Sequence, residues 1–102
     1  MSQAKHDEGK PRAALVPAAI IEAVARVRTF GTAKYHDPEN WRQVSKEQYE
    51  HAFLRHTLEW MRDRNSVDAE SGLPHSWHMS CNLDFILTME GVKNPYVPTS
   101  TL

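Results

Sequence analysis

From Pro17 onward, apolar residues recur at Ile20, Val24, Val27 and Phe30, the spacing of one helix face. Proline suits the first turn, where its missing N–H would be unpaired anyway. This helix either ends at Gly31 or runs on through Lys34 and Tyr35. "HDPENW" reads as a loop, because Pro38 biases Asp37 away from helix. Ser45 then reads as an N-cap, and Gln48 three residues later completes a capping box. The second helix is expected to reach about Arg64, with an inner stripe of Tyr49, Phe53, His56 and Trp60. "NSVDAESGL" is a loop by composition. A third helix is expected from Pro74 to about Glu90, with Gly91 as its C-terminal cap. Residues 1–16 and the tail "KNPYVPTSTL" read as extended segments, and no period-two strand pattern stands out. The expected fold is all-α: a small bundle of about three long helices, completed by oligomerisation.

The third helix breaks its own pattern. His75, His78 and Asn82 share one stripe with the apolar Phe85 and Met89, so half of a core-facing surface is polar and titratable. A nine-residue loop makes the second and third helices antiparallel neighbours, which brings His56 level with His78 and Asn82. Asp68 and Glu70 sit in that loop, at the same end of the bundle. Buried polar groups cost free energy unless they are paired or bind something. One inward histidine is ordinarily a satisfied core residue; three, with an amide and two carboxylates, point to a site.

The length of 102 residues suits a single domain spanning 1–102, and a domain so small gains from self-association. With 12 basic and 13 acidic residues and a net charge of -1, nothing attracts polymeric nucleic acid or an anionic membrane. No apolar run spans a bilayer. The polar start "MSQAKHDEGKPR" lacks the apolar stretch of a signal peptide. Cys81 is alone, which fits a reduced cytoplasmic setting and excludes a cysteine zinc cluster. Six histidines in so short a chain reinforce the case for a site.

Neutral imidazole with carboxylate suits a divalent metal. Mn²⁺ or Mg²⁺ is expected first, with Zn²⁺, Co²⁺ or Fe²⁺ as alternatives. The candidate metal ligands are His56, Asp68, Glu70, His75 and His78, and the candidate catalytic residues are His56, Asp68, Glu70 and His75. A second group is basic and aromatic: Lys5, Lys10 and Arg12 near the N-terminus, Lys34, Tyr35, Asn40 and Trp41 before the second helix, and Arg55 beside His56, with Asn82 of the inner stripe added to it. Cations bind phosphate and rings stack on bases, so this group is assigned to nucleotide binding. Singly, each has a plainer reading: Trp41 can cover the core edge, and terminal cations are usually solvated. "GKP" is not a phosphate-binding loop of the Walker type. Glu47 and Glu50 form an ExxE pair, but at a helix start they equally complement the dipole. Cys81 reads as a small buried residue, and Arg62, Asp63 and Arg64 as a solvated face.

In order, "KHDEGKPR", "FGTAKYHDPENW", "LRHTLEW" and "DAESGLPHSWHMSCNLDFIL" resemble a family of small, mostly bacteriophage proteins, the dATP/dGTP diphosphohydrolase N-terminal domains. The resemblance runs from about residue 5 to 90. It implies an all-α fold related to MazG-like nucleoside triphosphate pyrophosphatases. Those enzymes use divalent metal to cut between the α- and β-phosphates, and work as dimers or tetramers. The family-like positions are Lys5, Asp7, Gly9, Lys10, Tyr35, Asn40, Trp41, Arg55, His56, Asp68, Glu70, Gly72, His75 and His78. MazG-like enzymes carry an ExxE on one helix and an ExxD on the next, and this chain lacks the second. Either the histidine cluster replaces the acidic metal site, or the fold binds a nucleotide without cutting it. The first outcome is a metal-dependent diphosphohydrolase acting on purine nucleotides. The second is an anti-defence binder that sequesters a nucleotide-derived immune signal in the cytoplasm of the infected host. A third outcome is a structural module whose histidines fix helix register.

Overall fold

The structure is a computed structural model that describes residues 9–91. The expectations for Lys5, Asp7 and the tail after Gly91 lie outside the described residues. Three helices form the fold: α1 at Ala19–Tyr35, α2 at Lys46–Arg62 and α3 at His75–Glu90. Among the described residues there is no strand, only an isolated antiparallel bridge between Val67 and Pro74. The architecture is the all-α bundle expected.

Helix α1 begins two residues after Pro17 and runs straight through Gly31, which, unlike Gly72 and Gly91, does not take a positive φ. It ends at His36, whose backbone is left-handed (φ 62°) and whose N–H reaches the carbonyl of Thr32 at 2.7 Å. The loop that follows tightens into a 3-10 turn at Asn40–Gln43, and the N-terminal lead-in contains another at Ala13–Leu15, so neither segment is fully irregular or extended. Helix α2 starts on the capping box foreseen: the Ser45 hydroxyl accepts the Gln48 N–H while the Gln48 side chain accepts the Ser45 N–H. It stops at Arg62 rather than Arg64, because Asp63 turns extended and its carboxylate takes the Asn65 N–H instead. Pro74 is the N-cap of α3 and Gly91 its left-handed C-cap.

Helix α3 packs on both other helices, more extensively on α2. The core between them is small: Ala23, Val27, Tyr49, Cys81 and Ile86 are buried. Phe85 gathers the aromatic part. Trp41 stacks on it at 4.8 Å, Tyr49 meets it at 4.7 Å, and the Tyr49 hydroxyl donates to the Trp41 carbonyl at 2.7 Å. That arrangement pins the 3-10 turn against α3 and leaves a hollow between α1, α2 and α3. The polar half of the α3 stripe stays inside, with His75 and Asn82 both buried. Large apolar side chains remain exposed on the outside, Leu54, Leu58 and Met61 of α2 among them. Among the described residues, no helix is long and apolar enough to cross a membrane.

Candidate functional site

The α2–α3 loop is closed by its own backbone. Asp68 N–H donates to the Leu73 carbonyl and Gly72 N–H to the Asp68 carbonyl, each at 2.8 Å. Gly72 makes this possible with a φ of 74°, a region costly for any residue with a Cβ. The tight turn aims Asp68 back at the helices. Its carboxylate accepts the backbone N–H groups of Glu70 at 3.1 Å and Ser71 at 2.9 Å. Burial alone would raise the Asp68 carboxyl, but the Ser71 N–H and the nearby imidazoles outweigh it and hold the group below its ordinary value.

Three imidazoles meet in front of that carboxylate. His56 of α2 and His75 of α3 share a hydrogen bond between their Nδ1 atoms at 2.7 Å. His56 also stacks on His78, with ring centroids 4.6 Å apart and planes 8° from parallel. His78 Nε2 bonds the Ser71 hydroxyl at 2.7 Å and stands 3.9 Å from Asp68. Burial pushes His56 down to about 4, and the neighbouring His78 and His75 push the same way. Burial lowers His78 as well, against the pull of Asp68. At neutral pH the cluster therefore offers an uncharged His56 and an ionised Asp68, the protonation states that metal binding needs.

One donor atom each from His56, Asp68 and His75 falls within 4.8 Å of the others, the geometry of a possible metal pocket. Two imidazoles with a carboxylate is a donor set that fits a divalent transition ion. Two of the expected ligands stand apart from that group. His78 is committed to Ser71 and the His56 face, and Glu70 pairs with Lys34 at 2.8 Å.

A cavity of about 440 Å³ lies along the inner face of the bundle. It is lined by Lys34, Tyr35, Asn40, Trp41, Arg55 and Asn82, together with His56, His78 and Glu70. A second cavity of about 470 Å³ is lined by Asp68 and His75 and shares Arg55, His56 and Glu70 with the first. The histidine cluster and the basic-aromatic group thus meet at one wall. Lys10 and Arg12 are exposed and line neither cavity. Trp41 is sandwiched between Phe85 and the Arg42 guanidinium, 4.4 Å from its ring, while Tyr35 is 54% exposed. Glu47 and Glu50 line none of the cavities and pair along their own helix, with His51 at 3.7 Å and Lys46 at 3.1 Å. Cys81 is buried, and that burial pushes its thiol up to about 12. A larger apolar groove of about 730 Å³, lined by Ile20, Val24, Phe53 and Leu83, contains none of the histidines.

Sequence reasoning missed two residues of the site. Ser71, which fixes His78, is a loop serine with no pattern to mark it. Arg28 lines the first cavity and was detectable, since it continues the Ile20–Val24 stripe at the next four-residue step.

Comparison with known proteins converges on one family. A family model described as "dATP/dGTP diphosphohydrolase, N-terminal" matches residues 1–95. A curated relative from Salmonella phage PMBT28, named dATP/dGTP diphosphohydrolase, is 37% identical over 86 residues, which is 84% of this chain. The chain spans 29% of that relative's length. No solved structure matches it.

Proposed function

Since this chain belongs to the dATP/dGTP diphosphohydrolase N-terminal family, we propose that its inner cavity binds a purine deoxynucleoside triphosphate and hydrolyses it to monophosphate and pyrophosphate. One observation carries this reading: Arg55, His56 and Glu70 form a wall common to the basic-aromatic cavity and the cavity of Asp68 and His75. A phosphate chain bound at that wall would have cations on one side and a cluster of candidate metal ligands on the other.

In the reaction a water oxygen bonds to the α-phosphorus, the bond from that phosphorus to the bridging oxygen breaks, and pyrophosphate leaves with the electron pair. His56, His75 and Asp68 would hold a divalent transition ion, Mn²⁺ first, which would supply phosphate charge neutralisation and a more acidic water. Arg55 and Lys34 bind phosphate oxygens, and Glu70 orients Lys34 through their ion pair. Glu70, outside the His56–Asp68–His75 group, is the carboxylate available to accept the proton the water gives up. Tyr35 packs against the base or sugar. The test is direct: incubate the protein with dGTP and dATP in Mn²⁺ or Mg²⁺ and identify products by mass spectrometry. Monophosphate and pyrophosphate are expected, and His75→Ala should abolish them. No turnover of any nucleotide in any of these metals would overturn the proposal.

A second reading rests on the outward pairing of Glu47 and Glu50. With that acidic pair outside both cavities, the same pocket would capture a nucleotide-derived host immune signal without cutting it, the histidines serving as hydrogen-bond partners. Ligand recovered unchanged after denaturation would support capture; altered ligand would refute it. In either reading the protein acts as a homo-oligomer in the cytoplasm of the infected host, and the exposed Leu54, Leu58 and Met61 supply a surface for self-association.

A further inference from the structure

Three cations line the inner cavity: Lys34 is paired with Glu70, whereas Arg28 and Arg55 take part in none of the ion pairs found among the described residues, and of these two it is Arg28 that is held in place. Its guanidinium lies 5.3 Å from the centroid of Phe85, and one Nη donates to the Pro38 carbonyl. A planar group held by a ring and by one hydrogen bond is already ordered, so little freedom is lost when its other N–H groups meet a ligand. Those remaining donors belong to a side chain on the cavity wall.

Position along the cavity says what they would meet. Lys34 pairs with Glu70, and Arg55, His56 and Glu70 form the wall shared with the second cavity, where His56 stacks on His78. Arg28 sits at the level of Phe85, two helical turns further along α3, roughly 10 Å away. A nucleotide with its phosphates among the first group reaches Arg28 with its base.

We infer that Arg28 reads the base of the bound nucleotide and favours guanine over adenine. The inference rests on the reading that this cavity holds a nucleotide. Guanine presents two acceptors, O6 and N7, side by side, and an arginine fork matches that pair with two parallel N–H bonds. Adenine keeps N7 but replaces O6 with an amino group, so one N–H of Arg28 would face another donor. A matched pair of this kind is worth roughly ten- to a hundredfold in discrimination. Hypoxanthine, which has O6 and N7 but no 2-amino group, should bind like guanine.

The experiment is isothermal titration of the full chain, in chelator so that nothing turns over, with dGTP, dITP, dATP and 7-deaza-dGTP. The expected order is dGTP close to dITP, both at least tenfold tighter than dATP, with 7-deaza-dGTP weakened relative to dGTP. Arg28→Lys, which keeps the charge but loses the fork, should bring dGTP down to the dATP level and leave dATP unchanged. Arg28→Gln, checked for folding by circular dichroism, should do the same and leave tripolyphosphate binding intact. Equal losses for all nucleotides, or loss of tripolyphosphate binding, would make Arg28 a phosphate or structural residue and overturn the inference. Wild-type binding without base preference would overturn this inference alone. Absence of binding by all four, both in chelator and with Mn²⁺ present, would overturn the nucleotide reading beneath it.

Discussion

His56 and His75 come from different helices and face each other through Nδ1 atoms 2.7 Å apart. One ring must donate and the other accept, so the accepting Nδ1 carries no proton while the bond lasts. Adding a proton to the accepting Nδ1 would set N–H against N–H. The stacking of His78 on the His56 ring adds a second imidazole that opposes charge there. This relationship makes the site sensitive to acid.

The sign follows from His56, which sits at about 4 in the fold against its ordinary value of 6.5. As pH falls, the unfolded chain takes up the proton first. The stabilisation is therefore complete above about pH 6.5 and is lost as pH drops toward 4. Thermal melts in chelator should show stability falling across that window by on the order of 2 kcal/mol. His56→Gln should flatten the curve. A melting temperature that is level or rising from pH 7 down to pH 5 would contradict the prediction.

Lys34 and Glu70 should separate binding from stability. Their ion pair, 2.8 Å long, links α1 to the loop that carries Asp68, yet both side chains are well exposed. Exposed pairs contribute little to folding. Lys34→Met is expected to leave the melting temperature unchanged and to weaken triphosphate binding roughly tenfold. Its affinity should also depend less steeply on salt than the wild type's. Calorimetric titrations at low and high salt measure both quantities.

Much of this was legible in the sequence, and the exceptions have physical causes. Ser45 with Gln48 punctuates α2, and Gly91 ends α3, because they satisfy orphan backbone groups within a few residues, while Pro74 marks the start of α3 with a fixed, extended backbone and no side-chain cap. The end of α1 was not legible, since Gly31 is tolerated within a helix and the actual stop is a left-handed histidine, His36. Antiparallel packing foretold that His56 would meet the α3 histidines. It could not say that His56 would hydrogen-bond one and stack on the other, because that depends on ring rotation. Nor could spacing show that Asp68 turns inward while Glu70 reaches across to Lys34. The loop's closure by the Asp68 and Leu73 backbones decides that. Arg28 escaped notice because a charge on an inner stripe reads as an interruption until the cavity beside it is visible.

Self-association should run along α2. Leu54, Leu58 and Met61, spaced at four and three residues, are each more than half exposed, at 55%, 55% and 57%. Two copies of α2 paired antiparallel about a two-fold axis would set Leu54 against Leu58 and Glu50 against Arg62, apolar on apolar and opposite charges together. Leu58 also lines the cavity of Asp68 and His75, so a partner here would stand at that cavity's rim. Light scattering should give an oligomer for the wild type. Leu58→Glu should give a monomer with unchanged helical circular dichroism. A wild-type chain that stays monomeric at high concentration would refute this.

Metal binding should register as stability before any activity is measured. His56, Asp68 and His75 bring their donor atoms together only in the folded chain, because they come from α2, the loop and α3. An ion bound to that group stabilises the fold by mass action, about 2.7 kcal/mol at a hundredfold excess over its dissociation constant. For a chain of this size that is a rise of about 10 °C or more in melting temperature. Asp68→Asn preserves side-chain volume but gives up the negative charge, and should lose most of the rise with Mn²⁺. Glu47→Gln should keep it, since Glu47 faces solvent and lines none of the cavities. The response should also fade in acid, as protons compete for His56. If Glu47→Gln abolishes the rise and Asp68→Asn does not, the ion sits on the acidic pair and the histidine cluster is not its site.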